Sequence, residues 1–105
     1  MDELVQHLSE GEHPIVATRA QQSPALLKDS IDRGFVLLKF TDTRGGTELG
    51  VRLDPPQCDI SHADFDRGAG AVSLVGHLTL NGTRVRCVAR VDVSTCEGSG
   101  HLEPA

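Results

Sequence analysis

The chain has 105 residues, with 10 Lys and Arg against 15 Asp and Glu, which gives a formal charge of −5. This length predicts a single domain over residues 1–105, and the acidic balance disfavours nucleic acid and anionic membranes as partners, since both require a basic surface. With three Phe and neither Trp nor Tyr, the core must be aliphatic, and an interface built on aromatic anchors is disfavoured.

The apolar runs and the cysteines indicate a cytoplasmic protein. No apolar run reaches the roughly 20 residues of a membrane span, and the first four residues, MDEL, are acidic, unlike the basic start of a signal peptide. The three cysteines, Cys58, Cys87 and Cys96, lack C-x-x-C spacing. Reduced thiols are therefore expected, rather than a disulfide framework or a zinc ribbon.

The first predicted element is a helix of about two turns that begins at acidic residues 2–3 and stops at Gly11. A helix this short is marginal by itself. Its apolar stripe therefore needs a partner, either the sheet of the same chain or a second copy of the protein. The stripe consists of Leu4, Val5 and Leu8.

A short strand and a well-signalled helix follow. Residues 15–18 predict the strand, and Pro14 before it favours a sheet edge. Ser23 is a suitable N-cap and Pro24 a suitable first helical residue, so a helix is predicted over 24–33, closed by Gly34. The apolar residues of this helix, expected to pack on the sheet, are Leu26, Leu27 and Ile31.

Residues 35–40 and 47–53 predict a second hairpin, with Gly45-Gly46 as its tip. The nearly continuous apolarity of 35–40 indicates a central strand covered on both faces. If the two glycines form the turn, Phe40 faces Val51, but Lys39 then faces Arg52. A shift of two residues, which pairs Phe40 with Leu49, avoids the like charges and keeps the same core face, so both registers stay open.

The segment 54–70 predicts a long connection with one short helical turn over 61–66. Connections of this length are uncommon in small domains, so a binding or oligomer contact is expected there. Later in the chain, residues 94–100 are typical of a turn, and His101-Leu102 predicts a brief final strand.

The strongest local pattern is the hairpin over 72–93, in which Asn81-Gly82 predicts a two-residue type I′ turn. That turn fixes a register running from Leu80 opposite Thr83 to Val72 opposite Val91. The residues on the same face of the hairpin as these two pairs are predicted to lie in the core. They are Leu74, Gly76, Leu78, Val85, Cys87 and Ala89.

The opposite face of this hairpin carries the candidate ligand-binding residues, which are His77, Thr79, Arg84, Arg86 and Arg90. Guanidinium groups bind carboxylates and phosphates through paired hydrogen bonds, so this face is a candidate binding site for an anionic group. The competing interpretation is an ordinary solvated sheet face whose arginines pair with acidic side chains of the same chain or of a second copy.

Other chemistry is weakly indicated, and no metal or cofactor is expected. The 41–46 turn lacks the Walker and G-x-G-x-x-G patterns. A metal hypothesis for 58–66 lacks a convincing ligand set. Cys87 is predicted to be a buried thiol, and a Cys96–His101 pair is a geometric possibility. The remaining histidines are scattered singly and are predicted to be surface residues rather than a proton relay. The histidines concerned are His7, His13 and His77.

Together these elements predict an α+β fold with an antiparallel sheet of four to five strands made from two hairpins. The main helix packs on the sheet, and the short N-terminal helix lies beside it or against a partner. Since no catalytic constellation is found, the leading hypothesis is a non-enzymatic protein-interaction or accessory domain, a homodimer that presents a sheet face or edge.

Two other functions stay open. One is a small domain for an anionic ligand, with or without enzymatic activity, whose pocket lies between the main sheet and 54–70 and uses His77, Arg84 and Arg86. The other is an acidic immunity or inhibitor protein, which rests on the charge of −5 alone.

Overall fold

The computed structural model describes residues 3–18 and 23–104, and most of them lie in antiparallel strands. The described helices are Glu3–Ser9 (α1) and Pro24–Arg33 (α2), with a 3₁₀ turn at Pro55–Gln57. The described strands are His13–Ala17 (β1), Phe35–Phe40 (β2), Thr47–Leu53 (β3), Ala63–Asp64 (β4), Ala69–Leu80 (β5), Thr83–Asp92 (β6) and Glu97–Pro104 (β7).

These strands form a closed barrel. Their order is β3-β2-β1-β7-β6-β5-β4, and β3 also pairs with β5 through Arg52 opposite His77 and Leu53 opposite Gly76. Six strands therefore close into an antiparallel barrel, and β4 is an extra strand beside β5. The expected α+β fold with an antiparallel sheet of four to five strands is wrong, and closure removes most of the free strand edge that an open sheet would expose.

Gly76 allows the closing strands to approach each other. A Cβ atom at this position would lie 2.4 Å from the carbonyl oxygen of Arg52 and 2.5 Å from Cγ1 of Val51. Any other side chain would collide with the β3 backbone, so glycine is required where β5 meets β3.

The 72–93 hairpin has the predicted register along its whole length. Asn81 and Gly82 have φ values of 50° and 79°, and the pairs run from Leu80 opposite Thr83 to Val72 opposite Val91. The turn residues and the alternation were therefore sufficient to define this element. Its buried residues are Val72, Leu74, Val85, Cys87, Ala89 and Val91.

Helix α2 also has the predicted bounds. The Oγ atom of Ser23 accepts a hydrogen bond from the amide of Leu26 at 3.3 Å, and Gly34 ends the helix with a φ of 77°. Leu27 is fully buried and Ile31 packs at the edge of the core. Leu26 is 47% exposed, so its expected packing on the sheet is wrong: it lies next to the inward-facing Leu27 and points away from the barrel.

The β2–β3 hairpin has neither of the two registers considered. Phe40 lies opposite Thr47 and Leu38 opposite Leu49, so residues 41–46 form a six-residue loop instead of a two-residue turn. This register places Lys39 opposite Glu48, which gives an attractive pair. The inward face is the expected one, because all three registers differ by even numbers of residues.

Two segments contain more extended structure than predicted. The predicted helical turn at 61–66 is wrong: Asp59 accepts hydrogen bonds from the amide and hydroxyl of Ser61, and β4 follows at once. The final strand is also longer than expected, since β7 has eight residues and pairs with both β1 and β6. Strand β7 is rich in glycine and polar residues, which have low strand propensity, so its full length could not be predicted from the sequence.

Helix α1 packs on its own barrel. Its residues Val5 and Leu8 are fully buried, and the helix contacts β7. A second copy is therefore not needed to cover its apolar stripe. The expected sheet edge at Pro14 is wrong, because β1 lies between β2 and β7.

The core is aliphatic, as the composition predicts, with Phe40 as its one fully buried aromatic ring among the described residues. No described helix is long and apolar enough to cross a membrane. The largest fully buried side chains besides Phe40 are Leu8, Ile15, Leu27, Leu38, Leu74 and Leu102.

Candidate functional site

The candidate site residues lie on the outer face of the β5–β6 hairpin, and all are exposed. His77 lies opposite Arg86, and Thr79 lies opposite Arg84. Arg90 is four residues further along β6 than Arg86, a distance of about 13 Å in a strand. The fold therefore groups the first four residues and leaves Arg90 apart from them.

Closure of the barrel brings Arg52 to this group. Arg52 lies opposite His77 across the β3–β5 pairing, and His77 lies opposite Arg86 across β5–β6. We call Arg52, His77 and Arg86 the basic row. Phe35 lies beyond Arg52 on β2, and Glu103 lies beyond Arg86 on β7, so the row runs across the strands between an aromatic and an acidic residue.

Two members of the basic row have acidic partners in the same chain. One guanidinium nitrogen of Arg86 lies 3.0 Å from a carboxylate oxygen of Glu103, and another donates to the side-chain oxygen of Gln57 at 3.4 Å. The Nδ1 atom of His77 lies 3.1 Å from a carboxylate oxygen of Asp54. These partners are partly exposed, so each pair contributes about 1 kcal/mol or less.

Three arginines on this face, Arg52, Arg84 and Arg90, have no acidic partner among the described residues. Within residues 3–18 and 23–104, none of these three side chains makes a hydrogen bond or an ion pair, and all three residues are exposed. Arg52 is one end of the basic row, and Arg84 lies on the same face as Arg86, two residues away. The interpretation of a solvated face with internal pairing therefore holds for Arg86 but not for Arg52, Arg84 or Arg90.

The acidic end of the row continues into a chain of alternating charges. His101 lies between Glu103, at 2.9 Å, and Glu12, at 2.7 Å. Its hydrogen bond to Glu103 raises the pKa of His101 against the opposing effect of burial, and Glu12 raises it further. The same contact with His101, assisted by Arg86, lowers the pKa of Glu103. The charges of Arg86, Glu103, His101 and Glu12 thus support one another.

The basic row lies on an open surface rather than in a pocket. A cavity of about 250 Å³ lies near the 54–70 connection, but it faces α2 and none of the candidate residues lines it. From the connection, Asp54 and Gln57 reach the row instead. The residues that line the cavity are Ile31, Asp32, Leu53, Pro55, Cys58 and Ile60.

The cysteines provide no nucleophile at this face. Burial raises the pKa of Cys87 to about 12, as its predicted inward position requires. Cys96 is fully buried, and the hypothetical Cys96–His101 pair is not formed, because both ring nitrogens of His101 contact carboxylates. Cys58 is half-buried, and its thiol donates to the backbone oxygen of Val75.

A group of possible metal ligands lies elsewhere, near the end of α1. Among the described residues, the 58–66 segment forms no group of three ligands, whereas His7, His13 and Asp42 do, with their ligand atoms within 4.8 Å of one another. The rings of His7 and His13 lie 4.8 Å apart. The prediction of a surface histidine is therefore wrong for His13, which is only 6% exposed, and is confirmed for His7, which is exposed but lies beside His13.

Sequence reasoning missed Arg52 and Asp42 because each depends on a contact between distant segments. Arg52 reaches the row only through the β3–β5 pairing, and Asp42 reaches His13 from a loop 29 positions away. No local pattern signals either contact. No protein-family model matches the chain, and a comparison with curated proteins finds no match.

Proposed function

We propose that this chain is a non-enzymatic binding domain that recognises an acidic segment of a partner protein through the basic row and the neighbouring Arg84. The observation that carries the proposal is the alignment of Arg52, His77 and Arg86 on adjacent strands. Exposed guanidinium groups in such an array favour carboxylates through charge-assisted hydrogen bonds.

The open shape of the surface supports a protein partner over a small ligand. Small molecules bind mainly in concave sites, whereas this row crosses the outside of a barrel. Adjacent strands are about 4.8 Å apart, so the row spans about 10 Å from Arg52 to Arg86. A peptide in the polyproline II conformation rises about 3.1 Å per residue with three residues per turn, so acidic residues three positions apart lie on the same side and span about 9 Å.

The aromatic residue at one end of the row adds an apolar contact. Phe35 is 44% exposed and lies opposite Arg52. A partner segment with an apolar residue next to its acidic pair would cover this ring while its carboxylates meet the arginines. Buried aromatic and arginine contacts are the ones that contribute most to protein interfaces.

The protein as a whole is acidic, so recognition depends on the local field of this face. Attraction is strong near the uncompensated Arg52 and Arg84 and weakens with added salt. A homodimer stays a prediction: a second copy could supply the acidic segment, but α1, which motivated the dimer, is already covered by its own barrel.

The experiment measures binding of fluorescein-labelled peptides by fluorescence anisotropy. The peptides carry two acidic residues three positions apart beside one apolar residue, and a matched peptide has Gln and Asn in place of the acids. We expect the acidic peptide to bind and the matched peptide not to, with affinity lost as salt increases. The double variant Arg52→Ala/Arg84→Ala should weaken binding at least tenfold.

The matched control is Arg44→Ala. This variant removes an exposed arginine that precedes the first residue of β3, whereas Arg52 lies near the last, and it should leave binding unchanged. An equal loss in this control, or binding that ignores the acidic residues, would overturn the proposal. Thermal stabilisation by phosphate or nucleotides that is lost in Arg86→Ala, without binding of any acidic peptide, would favour the small anionic ligand instead.

A further inference from the structure

Three side chains with metal-ligand atoms converge at one end of the barrel, from three different elements. His7 lies in α1, His13 begins β1, and Asp42 lies in the loop between β2 and β3. Their ligand atoms all lie within 4.8 Å of one another. This cluster is separate from the basic row and does not depend on the function proposed for it.

The orientation of His13 is fixed by the backbone. Its Nε2 atom lies 2.9 Å from the carbonyl oxygen of Glu10, and a carbonyl oxygen only accepts, so Nε2 carries a hydrogen atom. The ring is almost completely buried. The other nitrogen, Nδ1, therefore points at Asp42, whose carboxylate oxygen lies 2.7 Å away.

This arrangement is the one that protein metal sites use. A histidine that binds a metal through one nitrogen usually donates its other N–H to a backbone carbonyl or a carboxylate, which fixes the tautomer and the ring direction. Here Glu10 supplies that carbonyl. In the absence of a metal, a proton joins Nδ1 of His13 to the carboxylate of Asp42.

We propose that His7, His13 and Asp42 form a binding site for a divalent cation of the zinc type. The cation takes the place of the proton between His13 and Asp42, and that proton is released to solvent. The exposed His7 supplies the third ligand. Two imidazoles and one carboxylate suit zinc and its neighbours in the first transition series, whereas magnesium and calcium require oxygen ligands.

The required movement is small. Ligands around a tetrahedral zinc ion lie about 3.3 Å from one another, so separations of at most 4.8 Å must shorten by no more than about 1.5 Å. His7 is exposed in the last turn of α1, where a change of rotamer provides this shift. Three protein ligands leave a fourth position for water or for a ligand from a partner.

The test is calorimetric titration of the metal-stripped protein with Zn²⁺ and with Ni²⁺, and with Mg²⁺ as a negative control. We expect one saturable site for Zn²⁺ and Ni²⁺ and none for Mg²⁺. His7→Ala and Asp42→Asn should each weaken Zn²⁺ binding at least tenfold, and Co²⁺ bound at the same site should show visible absorption that both variants lose.

His62→Ala is the matched control, because His62 is also exposed and belongs to the alternative ligand segment, four residues after Cys58 in the sequence. It should bind Zn²⁺ like the wild type. His13→Ala is avoided because loss of a buried ring disturbs the fold, and circular dichroism confirms that the other variants are folded. The proposal is overturned if no Zn²⁺ binds at 100-fold excess, if His7→Ala and Asp42→Asn bind normally, or if His62→Ala abolishes binding.

Discussion

Arg52 lies directly opposite His77 across the short pairing of β3 with β5 that closes the barrel. These residues are 25 positions apart in the chain and belong to different predicted hairpins. Their contact converts a basic patch on one hairpin into a row across three strands. The closing pairing is therefore both a structural element and the origin of the candidate binding face.

Replacing the glycine at this closure should destabilise the barrel. A Cβ atom in Gly76→Ala would collide with the carbonyl oxygen of Arg52, and we expect a loss of about 2–3 kcal/mol in the free energy of unfolding by urea. Exchange of the Asp54 amide, which donates to the oxygen of Val75 at 2.8 Å, should also accelerate. Thr79→Ala on the same strand should change stability by under about 1 kcal/mol; equal stability of the two variants would contradict the role of Gly76.

The basic row should contribute little to folding. Arg86→Ala removes an ion pair between partly exposed groups, so the free energy of unfolding should fall by about 1 kcal/mol or less. Leu102→Ala, at a fully buried position on the neighbouring strand, should cost about 2–5 kcal/mol. Urea denaturation followed by circular dichroism measures both, and a loss above about 2 kcal/mol in Arg86→Ala would indicate a structural role for the row.

Stability should depend on pH through His101. Glu103 and Glu12 raise the pKa of His101 in the folded state, so protonated His101 stabilises the fold. This stabilisation is complete below the ordinary histidine pKa of about 6.5 and is lost as the pH rises through the pKa of His101 in the folded state. Contact with His101 lowers the pKa of Glu103, so ionised Glu103 also stabilises the fold. That stabilisation is lost as the pH falls through the pKa of Glu103 in the folded state. The advantage of wild type over His101→Gln should be largest near pH 5.5–6.5.

The size of this effect is about 1 kcal/mol or less, since the carboxylates are partly exposed. It is measured as the difference between urea denaturation curves of the two proteins at several pH values. His13 titrates in both proteins, so its contribution cancels in the difference. A difference that stays constant from pH 5.5 to pH 8 would show that the network does not couple to folding.

The three thiols should react with iodoacetamide in a fixed order. Cys58 is half-buried and should be alkylated first, whereas burial raises the pKa of Cys87 to about 12 and encloses Cys96. Mass spectrometry of the native protein should show modification at Cys58, with the other two sites modified only in urea. Rapid native alkylation of Cys96 would mean that the turn before β7 opens.

Local patterns predicted the elements whose geometry is encoded by neighbouring residues. Ser23, Pro24 and Gly34 defined α2, and Asn81-Gly82 defined the β5–β6 hairpin with its inward and outward faces. The β2–β3 register was mispredicted because Gly45-Gly46 was taken as a turn by itself. In the fold these glycines belong to a longer loop whose Asp42 contacts His13.

The aliphatic core, the register of the main hairpin and its basic outer face could be predicted from the sequence, since each depends on composition or on residues close together in the chain. Closure of the sheet, the addition of Arg52 to the basic face and the contact of Asp42 with His13 arise from long-range contacts and become visible only in the folded protein. Side-chain alternation specifies which face of a strand is buried, but it does not specify which distant strand lies beside it.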